Sequence, residues 1–130
     1  MTVSIDTLSS NSMADDLNEN SIGVSHELRL YDSGDTLLST LTYAASNGVV
    51  STSGGAEVIT YSEASYTDDE TPAADGTVSY ATIRRTVATA REVVRFSDPT
   101  TELSLSSLNI LTTEPVRVTA DVVVKLPNST

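Results

Sequence analysis

The chain contains no cysteine and no tryptophan, a single histidine and a single phenylalanine. Without cysteine, neither a disulfide framework nor a thiolate-bound zinc site can form. One histidine excludes a multi-histidine metal centre, and any Ser–His–Asp arrangement would have to use His26. With five tyrosines as almost the whole aromatic content, there is little to stack against sugar rings. No run of 18 apolar residues occurs, so no membrane-spanning helix is expected. The opening "MTVSIDTLSS" lacks the basic and apolar regions of a secretory leader, so none is expected either. Basic residues are also few: seven against 18 acids give a net charge of −11, which repels nucleic acid and anionic lipid surfaces. Neither is expected as a partner.

What is present reads as one domain. A chain of 130 residues buries roughly two-thirds of its unfolded surface, enough for one core. Residues 1–24 are polar and rich in Ser and Asn, with Asn11 or Ser12 placed to cap a short helix from Met13 to Leu17 and Gly23 to end the segment. We read residues 1–24 as an arm and 25–130 as the folded domain. From His26 the period changes to two. "HELRLYD" and "TLLSTLTY" alternate about the turn "DSGD", in which Gly34 is expected to supply a positive φ, so the pair reads as a hairpin. A loop with a short strand at Val49 and Val50 leads to "AEVITYSEASY", which alternates again, and "TDDETPAAD" reads as an acidic surface loop. "ATIRRTVATAREVVRF" fits a helical period as well, but its β-branched residues favour two strands. "ELSLSSLNI" changes phase between Leu105 and Leu108, the sign of a bulge or turn. Short strands separated by turn signals predict a mainly β fold: a single antiparallel β-sandwich or barrel-like domain.

The last stretch, "EPVRVTADVVVKLP", alternates from Val116 to Leu126. As one continuous strand it would span roughly 36 Å, about twice the usual length. It is apolar on both faces at Val122, Val123 and Val124, which a half-exposed strand does not require, so these three residues are expected to be covered by the arm or by a neighbouring subunit.

No constellation of residues stands out as catalytic. His26, at the start of a strand, is expected to be an ordinary surface or edge histidine. Asp68, Asp69 and Glu70, with Asp75 nearby, supply oxygen ligands of the kind calcium takes, but without EF-hand spacing they read as a charged loop. "SGG" at Ser53 lacks the lysine and helix of a phosphate loop. The acids lie on loops without aromatic neighbours, which does not suit a glycosidase. No enzyme activity and no cofactor are expected. The charge is uneven, however. Arg84, Arg85, Arg91 and Arg95 crowd into twelve residues of an acidic chain, and on adjacent strands they would form a basic patch suited to docking on protein.

Several stretches, taken in order, resemble a family of small β-rich virion proteins of tailed bacteriophages. "NSMADDLNENSIG" resembles its short N-terminal helix, "HELRLYDSGDTLLSTLTY" its "L-R-I-Y-D-G … L-L-A-T-L-T" hairpin, and "NGVVST" its "G-G-V-A-T" loop. "DGTVSYATIRR" is close to "S-G-T-A-S-Y-A-R-I", and "TELSLSSLNILTTEPVRVTA" follows an ending that leads to "V-S-V-T". The likeness runs from about Asn11 to Ala120. It departs at "TVATAR", where a glycine-containing turn usually stands, and at Thr82, where the family has arginine. The resemblance implies a structural protein of the virion, made in the host cytoplasm. A capsid decoration or cement protein fits best, binding the outside of the major capsid protein shell and neighbouring copies of itself. Such proteins sit on local two-fold or three-fold axes, and a homotrimer is expected. A tail, collar or fibre component is the nearest alternative, and a carbohydrate-binding β-module the next.

Overall fold

The computed structural model describes residues 17–22, 25–43, 48–53, 56–86 and 89–126. The helix expected from Met13 therefore lies mostly outside the described residues. Where description begins, Leu17–Ile22 forms one π-helical turn. Ile22 is buried in the domain core, so the end of the expected arm is folded into the domain.

The chain is mainly β, in three antiparallel sheets that together resemble a β-sandwich. The largest contains β1 (His26–Tyr31), β2 (Leu37–Tyr43), β5 (Tyr66–Thr67), β7 (Tyr80–Arg85) and β8 (Arg91–Phe96), in the order β5-β2-β1-β7-β8. The second orders β10 (Val122–Lys125), β4 (Ala56–Tyr61) and β3 (Val49–Ser53) side by side. A two-stranded ladder joins β6 (Gly76–Thr77) to β9 (Asn109–Ile110). A helical turn, α1 (Pro99–Glu102), follows β8. No helix among the described residues is long and apolar enough to cross a membrane.

Alternation places the core. In β1, His26, Leu28 and Leu30 are buried while Glu27, Arg29 and Tyr31 face outward. The inner face of β7 adds Ala81 and Ile83. From the second sheet come Ile59 and Tyr61 of β4 with Val122 and Val124 of β10, which sit opposite them in register. One apolar cluster spans both sheets. At roughly 2 kcal/mol for each large side chain removed from water, this burial is the main stabilising term.

The β1–β2 hairpin forms as its alternation predicts. Its turn is built differently from the expectation: the positive φ falls on Asp35, at 65°, and not on Gly34. Asp32 sets the turn, since its Oδ1 accepts the N–H groups of Gly34 and Thr36, each at 2.9 Å. Aspartate tolerates the left-handed region better than most residues, which leaves Gly34 without that task. β7 and β8 form the second hairpin, so the strand period prevails over the helical one.

The continuous strand expected over Val116–Leu126 is not formed. Val116 pairs with Asp69 and Val118 with Leu105 as isolated bridges, the chain bends at Ala120, and only Val122–Lys125 continues as β10 against β4. Ala120 and Asp121 are weak β-formers, and Asp121 is diverted to accept the Glu63 N–H at 2.9 Å. Burial still alternates on both sides of the bend, because each half faces the same core, the first through isolated bridges and the second as a strand of the three-stranded sheet. The phase change in "ELSLSSLNI" corresponds to a turn in which Ser107 Oγ accepts the Asn109 N–H and donates to its carbonyl.

Candidate functional site

His26 is not a surface residue. It is fully buried at the end of β1, within a cage of three tyrosines supplied by three other strands. Its ring stacks on Tyr43 of β2 at 4.7 Å and meets the edges of Tyr61 of β4 and Tyr66 of β5 at 4.8 and 5.5 Å. Nε2 shares a 2.7 Å hydrogen bond with the Tyr66 hydroxyl, while Nδ1 has no partner among the described residues. Burial without a second acceptor disfavours the charged ring and lowers its pKa from 6.5 to about 4. The Tyr61 and Tyr66 hydroxyls are pushed well above their ordinary value, also by burial. Tyr61 donates to Asn18 Oδ1, and Asn18 clasps both backbone groups of Gly48, at 2.9 and 2.8 Å. The cage ties the N-terminal turn to both sheets, and at neutral pH its histidine is uncharged. The ring has no access to solvent. The phase of His26 with Leu28 and Leu30 was the signal that placed it inside.

The outer face of the five-stranded sheet is the more promising surface. Tyr31 of β1 and Tyr80 of β7, directly opposite in register, stack at 5.0 Å with planes 10° apart. The Arg95 guanidinium lies 3.9 Å from the centre of the Tyr80 ring. Tyr31 donates to Glu92 at 2.6 Å and Tyr80 to Asp35 at 2.7 Å, the latter bond raising the Tyr80 hydroxyl to about 12. Alongside, Arg29 pairs with Glu27 at 3.1 Å. Tyrosines and arginines held in fixed positions on a sheet face are the residue types that dominate protein–protein contacts. The arginine cluster was legible in the sequence; the tyrosines were not, although their antiphase to the buried residues pointed them outward.

The four predicted arginines do not form a single patch. Arg84, opposite Glu27 in the β1–β7 register, shares the outer face with Arg95, opposite Thr82. Arg85 instead serves the end of the β7–β8 hairpin, where its Nε donates to the Thr89 carbonyl at 2.8 Å. Arg91 stands opposite it, exposed, at the start of β8. A bulge in β8 explains this division. Ile83 pairs with Val94 and Arg84 with Glu92, so Val93 is an extra residue and the phase of the strand changes around it. Beside the bulge, Thr82 is 3% exposed and its Oγ1 has no partner among the described residues. It lines a hollow of about 140 Å³ with Glu92, Val93, Val94 and Arg95.

Of the three predicted valines, Val122 and Val124 are covered by the chain's own core, and Val123 is 40% exposed. Val123 lines a trench of about 320 Å³ between β8 and β10, each at an edge of its sheet, together with Val94, Phe96, Val124 and Lys125. The acidic loop does not converge on a cation. Asp69 Oδ2 accepts Ser39 Oγ–H at 2.7 Å and Thr40 N–H at 3.1 Å, fastening the loop to β2. Asp75 accepts the Thr112 N–H at 2.7 Å, and Asp68 borders a polar cleft with Glu63 and Arg117. Among the described residues, no three histidine or carboxylate side chains are gathered to hold a metal. No family model, curated protein or solved structure matches the chain.

Proposed function

We propose that this protein is a structural component of a tailed-phage virion, a capsid decoration protein that docks on the outside of the major capsid shell and stabilises it. Two lines support the reading: the ordered set of motifs from Asn11 to Ala120, and the outer face of the five-stranded sheet. The observation that carries it is the stacked array of Tyr31, Tyr80 and Arg95, fixed by hydrogen bonds to Glu92 and Asp35. Because these side chains are already ordered, docking them loses little conformational freedom. The acidic remainder of the surface keeps decorated particles apart in solution.

The mechanism is mass action. Each molecule that binds only the assembled shell lowers the free energy of that shell relative to its dispersed subunits, and a clamp across neighbouring capsomers opposes internal pressure. The carbohydrate-binding alternative is weaker, since one face of Tyr80 is occupied by Tyr31 and Arg95 lies against its ring. To test the reading, decorated particles are stripped of this protein under mild conditions and heated. Earlier genome release from stripped particles, reversed by adding the protein back, is expected. Unchanged heat resistance after complete removal contradicts it. Readdition of a Tyr31→Ala, Tyr80→Ala variant is expected to restore little of the protection.

A further inference from the structure

We propose that two copies of this chain pair through their β8 strands, antiparallel and about a two-fold axis between Val93 and Val94, so that the five-stranded sheet continues from one copy into the next. β8 closes one side of that sheet and, among the described residues, carries no further strand. Its sequence, Arg91–Phe96, reads REVVRF. An antiparallel pairing about that axis places Glu92 of each copy opposite Arg95 of the other and packs the four valines together at the centre.

The pairing works only because of the bulge. In a regular strand, residues three apart point to opposite faces. Here the extra residue Val93 brings Glu92 and Arg95, opposite Arg84 and Thr82, to the same outer face. Charges and bulges commonly guard a sheet edge against pairing. On β8 the guards are of opposite sign and stand at matching positions, so a second copy meets them with attraction twice over. An unrelated strand would have to bring a base and an acid at the same spacing around an apolar pair.

Two further observations favour a covered edge. The buried Thr82 hydroxyl, unpartnered among the described residues, lines the hollow along this strand with the same Glu92 and Arg95. The trench at Val94, Phe96 and Val123, which Arg95, Glu102 and Lys125 also line, shares Val94 and Arg95 with that hollow, and the pairing sets Arg91 of the second copy opposite Phe96, at the border of the trench. Sheet continuation is a familiar mode of recognition, with main-chain bonds for affinity and side chains for specificity. One strand edge buries an area at the low end of specific interfaces, about 1,000 Å² in total, so the pair should dissociate on dilution. A two-fold pair differs from the homotrimer expected from the resemblance. It does not depend on the virion reading, because it holds for the free protein.

Sedimentation of the full chain across a concentration series tests it. The unmodified protein should pass from monomer to dimer. Glu92→Arg sets cation against cation at both contacts and Arg95→Glu sets carboxylate against carboxylate; each should weaken pairing by about tenfold or more. Mixing the two variants in equal amounts restores opposite charges at both contacts, and a heterodimer should form. Circular dichroism checks that each variant is folded, and Glu92→Gln replaces one that is not, with weakened pairing again expected. A monomer at every concentration, a trimer, or pairing indifferent to both reversals would overturn the proposal.

Discussion

At the scale of single residues, the most consequential group is His26. Its folded pKa lies near 4, whereas an unfolded histidine titrates near 6.5. The unfolded chain therefore binds the proton first as pH falls. The contribution of the neutral ring to stability is complete above about pH 6.5 and is lost progressively down to about pH 4. At roughly 1.4 kcal/mol per pH unit the loss amounts to about 3 kcal/mol. Urea midpoints taken between pH 4.5 and 7 should fall toward acid, and His26→Phe should flatten that slope. An equal slope in the variant would assign the acid sensitivity to carboxylates. Tyr61→Phe removes one donor from the cage while Asn18 keeps its bonds to Gly48, so a loss of about 1 kcal/mol is expected in denaturant titration.

At the scale of elements, strand periodicity carried most of the fold, and the exceptions have physical causes. Alternation in "HELRLY" marked both faces of β1, including the inward phase of His26. It could not reveal the three-tyrosine cage, since Tyr43, Tyr61 and Tyr66 come from three other strands and meet only in the folded chain. The closing stretch alternated throughout, but alternation does not say which sheet a strand joins. The bend at Ala120 divides it between two partners. The arginine patch was visible as a cluster, yet the bulge at Val93, which decides which charges share a face, leaves no mark in composition. Two substitutions separate the parts of β10. Val122→Asp buries a charge in the core and should prevent stable folding, whereas Val123→Asp, outside the β8 pairing, should keep the fold within about 1 kcal/mol and leave that pairing intact. Thermal melts and sedimentation distinguish these outcomes. Gly48 leads into β3, and an added Cβ there would lie 2.7 Å from Ile59 Cγ2 and 2.9 Å from the Thr60 carbonyl oxygen. Gly48→Ala should cost about 1–3 kcal/mol, while Gly34→Ala, whose nearest neighbour is 3.5 Å away, should be nearly silent.

At the scale of the whole molecule, one small cysteine-free β domain presents two contrasting features to its surroundings. Its net charge is −11, and four of its seven basic residues lie on the β7–β8 hairpin. The outer sheet face there offers ordered tyrosines and arginines to a partner, and the β8 edge offers a self-matching strand to a second copy. In the proposed virion role the first surface meets the shell and the second links neighbouring molecules, so binding at one site favours occupancy of the next. The measurement that tests this role most directly is the number of copies per purified phage particle, obtained by quantitative mass spectrometry against the major capsid protein. A decoration protein repeats with the shell lattice and should be present in hundreds of copies, by an estimate from closed-shell symmetry. About three to a dozen copies, as ring symmetry gives a tail, collar or fibre part, or none at all, would contradict it.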